Sequence, residues 1–160
     1  MRPRLLLVLA LSAWFPVVAA LAQERAGGPA TPQALPGSPA PPQVVAEIRQ
    51  VVEGALSRFH AMDEAGLLAM VSAQYRTDTL TKAGIADQLR TVFTLHDQVR
   101  ARVRIDDVRM VGEHAWVYTT GQVTGRLRVL GGWIPVASWQ RELEIARRED
   151  GRWRLYGYQQ

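Results

Sequence analysis

Residues 99–123, VRARVRIDDVRMVGEHAWVYTTGQV, decide the fold class. From Val99 to Ile105 apolar side chains alternate with arginines, and this period of two predicts a half-buried β-strand with one solvated face. The segment 112–114 predicts a turn, because a glycine opens it. Apolar and polar residues then alternate again, so the stretch predicts two neighbouring antiparallel strands.

Two further strands are expected downstream. The second strand continues over 115–129, and the glycine pair at 131–132 predicts a two-residue hairpin because both residues can adopt positive φ. A long third strand follows over 133–147. Asp-Gly at 150–151 predicts a second tight turn. Residues 152–158 then complete a four-stranded antiparallel meander.

Helical periodicity precedes the sheet. Residues 44–61 carry apolar side chains every three or four positions, which predicts one amphipathic helix. Asp63 is expected to cap a short helix that includes 67–71, and Thr81 to cap a third helix. Because one face of the sheet must be covered, these patterns predict an α+β fold with three N-terminal helices packed on an antiparallel sheet.

The first 22 residues are typical of a cleavable secretory signal peptide. Two arginines precede an apolar run, and Ala20 and Ala22 give the spacing that a signal peptidase accepts. The mature chain is therefore predicted to start at Gln23 and to be periplasmic or secreted. The alternative is an uncleaved anchor helix, since the apolar run reaches the lower limit for spanning a bilayer. Contact with a membrane is expected only in that case.

Residues 23–43 carry six prolines among small and polar residues. This composition has little apolar surface to bury and predicts a disordered linker. The remaining residues, 44–160, are long enough for one self-supporting core and form one predicted domain.

Charge and composition exclude several classes of function. The net charge of +4 falls to +2 without Arg2 and Arg4, which is too balanced to predict nucleic-acid binding. The absence of cysteine excludes disulfides, thiolate metal sites and a thiol nucleophile. His60, Asp63 and Glu64 lie close in sequence, but a histidine with neighbouring carboxylates and no further ligand does not make a metal site. Neither a metal nor another cofactor is expected.

Several features occur together in an order that a known superfamily shares. They are the helix over 44–61, Asp63 with the short helix after it, the third helix after Thr81, the strand pair around Gly112 and the ending EDGRWRLYGYQ. In this order they resemble the nuclear transport factor 2-like superfamily, which includes SnoaL-like cyclases and ketosteroid isomerases. The resemblance covers 44–160. It implies a strongly curved sheet wrapped around the first helix as a cone, with a pocket at the open end.

The resemblance also implies where isomerase residues would lie. Such isomerases use a tyrosine in the first helix, a general-base aspartate after the second helix and a second acid on a late strand. These positions fall on Ala55, near Asp78 or Thr79, and near Leu143 or Glu144. Only Asp78 could serve, after a shift of register. The pair of a base and an enolate stabiliser that proton abstraction beside a carbonyl needs is therefore incomplete.

The alternation of side chains along the predicted third strand draws attention to Arg141. It alternates in step with Trp139, Leu143 and Ile145, so its guanidinium is expected to face the apolar side. A buried unpaired guanidinium is costly. Arg141 is therefore expected to bind an anionic ligand, to form a structural ion pair, or to reach water at a strand edge. The other side chains expected around a ligand are Trp139, Thr119, Tyr75, Phe59 and Phe93.

Many arginines and aromatic residues are expected on the opposite, solvent-facing side of the strands. They are Arg100, Arg102, Arg104, Arg126, Arg128, Arg147, Arg148, Arg152 and Arg154, with Trp116, Tyr118, Tyr156 and Tyr158. This composition favours a protein-binding face, and the resemblance implies dimerisation through it. The alternative is a solvated sheet on which arginine stems cover aromatic rings.

Two functions remain open. The first is an exported non-catalytic binding module that holds a small, mostly apolar or anionic ligand in the cone, or a protein partner on the sheet. The second is a SnoaL-like isomerase or cyclase acting on a hydrophobic carbonyl compound, with Asp78 or His60 as the base and Arg141 holding an anion. They differ in whether Asp78, His60 or Tyr75 shares a cavity with Arg141.

Overall fold

The computed structural model describes residues 35–158. The predicted leader and most of the proline-rich stretch lie outside these residues. Two short strands and two helices come first: β1 (Ser38–Pro39), α1 (Pro42–His60), α2 (Glu64–Ala69) and β2 (Arg76–Thr77). They are followed by β3 (Leu80–Thr81), α3 (Lys82–Leu95), β4 (His96–Val111), β5 (His114–Leu127), β6 (Trp133–Glu149) and β7 (Arg152–Leu155). The predicted α+β class and the three helices are confirmed.

The helices begin where the sequence places their capping residues. The Asp63 carboxylate accepts a hydrogen bond from the Gly66 N–H at 2.9 Å, and the Thr81 hydroxyl accepts one from the Gly84 N–H at 3.4 Å. Each cap satisfies a backbone donor that has no partner inside the helix. The longest helix, α1, starts with Pro42 in its first turn, where a missing N–H costs nothing.

The main sheet has the order β1-β4-β5-β6-β7, and all its neighbours are antiparallel. The predicted meander is therefore confirmed, with one strand added at its edge. In β1, Ser38 pairs with Met110, and Arg109 donates to the carbonyls of Pro36 and Gly37. The described end of the proline-rich stretch is thus ordered, not a disordered linker, because it covers the free edge of β4.

The hairpins follow the predictions in part. Asp150 and Gly151 both have positive φ, 50° and 75°, as the predicted two-residue turn requires. The predicted two-residue hairpin at 131–132 is wrong. The loop spans 128–132 and is closed by hydrogen bonds between Leu127 and the loop glycines, from the Leu127 N–H to the Gly132 carbonyl and from the Gly131 N–H to the Leu127 carbonyl.

Four register shifts interrupt the regular alternation of the strands, and the two in the middle of the sheet determine which side chains reach the site. On β4, Ile105 pairs with Thr119 whereas Asp107 pairs with the preceding residue of β5, so Asp106 is the extra residue. On β6, Trp139 pairs with Gly121 and Glu142 pairs with Thr119, so residues 140–141 face the single residue between those two partners. A bulge reverses which side chains face the core, because side-chain direction alternates with every residue.

The core lies between the sheet and the helices. It forms two clusters, one around Phe59, Ile85 and Leu89 and the other around Ile48 and Trp153. Because α1 contacts both β4 and β7, which lie at opposite sides of the sheet, the sheet curves around this helix. Within the part of the chain that the structure describes, no helix has both the length and the apolar character that a membrane crossing needs.

The Trp139 ring packs directly against the backbone at Gly121, where there is no room for a side chain. A Cβ at this position would lie 2.4 Å from the Trp139 ring and 2.6 Å from the Arg102 carbonyl oxygen. Gly121→Ala is therefore expected to lower the free energy of unfolding by at least about 1 kcal/mol, measured by urea denaturation. The matched control is Gly132→Ala, where a Cβ would meet no atom within 4 Å. Equal stability of the two variants would contradict the close packing.

Candidate functional site

Arg141 lies on the outer face of the sheet, so its predicted inward orientation is wrong. Its backbone N–H donates to the Thr120 hydroxyl at 3.0 Å, and its guanidinium lies 5.8 Å from the centre of the Tyr118 ring. Its φ of 47° marks the bulge on β6. Because the bulge inserts one residue, the positions beyond it change sides. Leu143 and Ile145 join Arg141 on the outer face, opposite Tyr118 and Trp116.

The same bulge places a carboxylate inside. Glu144 pairs with the inward-facing Val117, and only 7% of it is exposed. Its charge acts on Tyr75, whose hydroxyl is buried without a hydrogen bond of ordinary geometry to another described residue. Burial first, and the Glu144 carboxylate second, raise the pKa of Tyr75 above its ordinary value. Glu144 and Tyr75 are therefore neighbours on the concave side of the sheet.

A cavity of about 60 Å³ lies beside Glu144. All three helices contribute aliphatic side chains to its wall, among them Val52, Leu67 and Ile85. The polar residues that line it are Thr119, Glu144 and Arg154. The cavity is thus an apolar space with a carboxylate and a hydroxyl in its wall.

Thr119 lies inside as its parity predicts, and Trp139 is its partner. The Trp139 indole N–H donates to the Thr119 hydroxyl at 3.1 Å. Trp139 does not line the cavity, and neither do Phe59 and Phe93, whose rings stack at 5.6 Å. These aromatic rings pack in the core beside the cavity. A ligand-binding role for Thr119, Trp139, Tyr75, Phe59 and Phe93 stays a prediction.

Asp78 and His60 lie away from the cavity. Asp78 has a φ of 51° in the exposed two-residue turn between β2 and β3, because an aspartate tolerates the left-handed conformation that such a turn needs. The exposed His60 ring accepts a hydrogen bond from the Ala101 N–H at 2.9 Å and so covers the free edge of β4. The constellation of Asp78 or His60 with Arg141 in one cavity is therefore not formed.

A groove of about 520 Å³ runs outside the cavity, between the first two helices and the β6–β7 hairpin. Gly54, Gly66 and Ala69 line it and leave space between the helices. Three arginines also line it: Arg58, Arg152 and Arg154. Groove and cavity share Val51, Met70 and Arg154 in their linings, so these residues form the wall between the two spaces. The Arg154 side chain itself points to the outer side of β7, because Arg154 pairs with Arg147 while Trp153 and Leu155 are buried.

The charges in the groove are only partly compensated. Glu47 is the acid among its lining residues, and it is held by Arg148 and by the Trp153 indole N–H at 2.8 Å. The hydrogen bond from Trp153, together with Arg148, lowers the pKa of Glu47. Arg154 forms ion pairs with Glu149 and Asp150 at 3.8 and 3.9 Å, distances beyond ordinary hydrogen bonds. Because three arginines and one acid line the groove, its lining carries more positive than negative charge.

The outer face of the sheet carries part of the predicted arginine and aromatic set. Arg100 lies 4.2 Å above the Trp133 ring and Arg147 lies 4.1 Å above the Tyr156 ring. Arg128 and Arg148 lie elsewhere. Arg128 donates to carbonyls at the end of α3, and Arg148 contacts Glu47 of α1. The sheet as a protein-binding or dimer face stays a prediction.

The histidine and carboxylate side chains that could bind a metal are scattered through the described part of the chain. Among residues 35–158, no three His, Asp or Glu side chains lie close enough together to hold a metal ion. His60 belongs to the edge of β4, Asp63 caps α2, and Glu64 pairs with Arg90 at 3.0 Å.

Comparison with solved structures identifies proteins of similar architecture. A ketosteroid isomerase-like protein from Erwinia carotovora atroseptica is 21% identical over 72% of this chain and 93% of its own, with a TM-score of 0.57. A conserved protein from Planctomyces limnophilus is 16% identical over 72% and 92%, with a TM-score of 0.61. A candidate dehydratase of the NTF2-like family from Streptomyces avermitilis is 12% identical over 73% and 94%, with a TM-score of 0.58.

Two sequence comparisons give no relative. No protein-family profile matches the chain, and no curated protein matches it. At these identities the structural likeness establishes the fold and leaves the activity to be argued from the site.

Proposed function

We propose a binding function for this domain, which has the nuclear transport factor 2-like fold: it holds one small amphipathic molecule in the cavity and the groove together. The observation that carries the proposal is the common wall of Val51, Met70 and Arg154, which separates an apolar space from a positively charged one. A molecule with an apolar body and an acidic group would satisfy both spaces. This assignment develops the predicted small, mostly apolar or anionic ligand.

The wall has to move for such a ligand to enter. A cavity of about 60 Å³ has room for only a few water molecules, whereas typical ligand sites are several times larger. Met70 is an unbranched, adaptable side chain in this wall. Its displacement would join the cavity to the groove and let an aliphatic body pass between α1 and α2.

Each end of the ligand would meet a different chemistry. At the rim of the groove, where the long side chains of Arg152 and Arg154 reach from the outer side of β7, their guanidinium groups would bind a carboxylate or another acid. In the cavity, the Glu144 carboxylate would accept a hydrogen bond from a donor at the inner end, such as a hydroxyl. A hydrogen bond to a charged acceptor is stronger than one between neutral groups, so Glu144 would favour a ligand with that donor.

Fatty acids test this proposal because they combine the two required parts. Isothermal titration calorimetry is expected to show saturable one-to-one binding of hexanoate, octanoate or decanoate. Decanol, which lacks the acid, is expected to bind more weakly than decanoate by at least about tenfold, since it loses charge-assisted hydrogen bonds. Equal affinities for decanoate and decanol would reject the arginines as the acid site.

A catalytic role is the second candidate, supported by Glu144 in the cavity wall and by the neighbouring Tyr75, which does not itself line the cavity. A SnoaL-like isomerase or cyclase acting on a hydrophobic carbonyl compound needs a base and a hydrogen-bond donor for the enolate oxygen. Glu144 would replace Asp78 and His60 as the base, and Tyr75 would be the donor. Exchange of the α-protons of a bound ketone for deuterium, lost in Glu144→Gln, would support this role. No exchange in the wild-type protein leaves the non-catalytic binding module.

Export belongs to the same proposal. The supporting observation is the leader pattern of residues 1–22, with its Ala20-x-Ala22 spacing. The protein recovered from outside the cytoplasm is expected to have the intact mass of a chain that starts at Gln23. A mass that includes residues 1–22 would indicate a retained anchor instead.

A further inference from the structure

The exposed large apolar side chains of residues 35–158 are concentrated at one end of the molecule. They are Leu95, Val129, Leu130, Trp133 and Ile134, named here the apolar tip. Val129 is 92% exposed and Leu130 is 79% exposed, in the loop between β5 and β6. The Arg128 N–H donates to the Leu95 carbonyl at 3.0 Å, which joins the end of α3 to this loop. A cluster of this kind marks an interaction site.

Positive charge surrounds the apolar tip. The exposed Arg100 lies over the Trp133 ring at 4.2 Å, and the Arg128 guanidinium donates its hydrogen bonds to backbone carbonyls. Residues 127–141 contain no acidic side chain. Asp97, the acid near this end, is bound by both arms of Arg126 at 2.8 Å. The rim of the tip is therefore cationic.

The shape of the tip fits a bilayer surface better than a folded partner. Its most exposed side chains project from a loop of five residues, whereas a stable protein interface needs a broad, shape-matched area. Trp133 follows the loop directly, at the start of β6, and the Arg100 guanidinium lies over its ring. That order of aliphatic, indole and guanidinium groups is the order of hydrocarbon, interface and headgroup in a membrane.

We propose that the apolar tip inserts into the surface of a bilayer that contains anionic lipid. Val129 and Leu130 enter the hydrocarbon boundary, Trp133 lies at the interface, and Arg100 and Arg128 contact anionic headgroups. This contact is independent of the ligand site and of whether the leader is cleaved. It would hold an exported domain at a membrane without a spanning helix.

Vesicle sedimentation tests the proposal with the chain that starts at Gln23, which retains both of the core clusters described above. The protein is expected to sediment with vesicles of phosphatidylcholine and phosphatidylglycerol and much less with phosphatidylcholine alone. Val129→Ser/Leu130→Ser is expected to lower the partition coefficient at least about tenfold, because it removes the apolar groups that enter the hydrocarbon. Arg100→Gln is expected to weaken binding to the anionic vesicles, whereas Arg49→Gln, an equal change on the exposed face of α1, is not.

Fluorescence quenching by brominated lipid gives the depth of insertion. Quenching in the wild-type protein that disappears in Trp133→Phe is the expected result. Absence of binding to the anionic vesicles, or equal binding of Val129→Ser/Leu130→Ser and wild type, would overturn the proposal. Self-association in analytical ultracentrifugation that the serine variant abolishes, without any vesicle binding, would overturn it in favour of a contact between copies.

Discussion

Glu144→Leu is expected to reverse the ligand preference of the cavity. In the wild-type protein, ω-hydroxydecanoate should bind more tightly than decanoate, because the buried carboxylate gains a hydrogen bond from the terminal hydroxyl. In the variant, the terminal hydroxyl of the ligand would lie against the leucine side chain, which cannot accept a hydrogen bond. The ratio of the two Kd values, measured by calorimetry, is expected to change by about 100-fold, the size of effect that an unpaired buried polar group produces.

Two further variants test whether the change in ligand preference comes from the Glu144 carboxylate. Glu144→Gln keeps a carbonyl acceptor of the same size and should give an intermediate ratio. Glu53→Leu makes the same chemical change on the exposed face of α1 and should leave the ratio unchanged. If Glu144→Leu retains native circular dichroism and the wild-type ratio, Glu144 does not contact the ligand.

Arg152→Gln/Arg154→Gln should weaken decanoate binding by about 100-fold, since each lost guanidinium removes a charge-assisted hydrogen bond. Decanol binding should hardly change, because decanol carries no negative charge. Arg152 is exposed and Arg154 is half-buried, so both positions accept glutamine without a cavity. The two affinities are measured by calorimetry at one fixed ionic strength.

The matched control removes the same charge elsewhere. Arg49→Gln/Arg102→Gln changes two exposed arginines, one on α1 and one on β4, outside the groove. It should lower decanoate affinity only slightly, through the smaller net charge. If the two double variants lose equal affinity, the effect is general electrostatics and the groove does not hold the acid.

Local patterns in the sequence were sufficient for much of the fold. Period-two alternation on either side of Gly112 identified β4 and β5, and Asp63 and Thr81 identified the starts of α2 and α3. The Asp-Gly pair at 150–151 identified the β6–β7 turn. These features depend on residues near one another in the chain, so propensity and alternation determine them.

The orientation of β6 could not be obtained in the same way. Assigning alternate residues of 139–145 to opposite faces assumes a regular strand. The bulge at residues 140–141 makes this assumption wrong. Arg141 was therefore expected inside, and Glu144 was passed over although the resemblance placed the late acid near it. A signal was present in the sequence: Glu142 and Glu144 alternate in step with the buried Ala146, and a single register shift moves all three inward.

The groove was beyond sequence reasoning for a different reason. Arg58 comes from α1, Met70 from the end of α2 and Arg154 from β7, and only the packed fold brings them together. Periodicity assigns each of them to a face of its own element and carries no information on distances between elements. The loop at 128–132 similarly depends on Arg128 reaching the end of α3.

The central claim, that one amphipathic molecule spans the wall between cavity and groove, is tested most directly at Met70. The chain that starts at Gln23 has only three methionines, Met62, Met70 and Met110, so ¹³C-methyl labelling gives three assignable NMR signals. Titration with decanoate is predicted to shift the Met70 methyl saturably, while Met62 and Met110, which line neither space, stay unchanged. Decanoate binding in calorimetry with an unshifted Met70 signal would contradict the account.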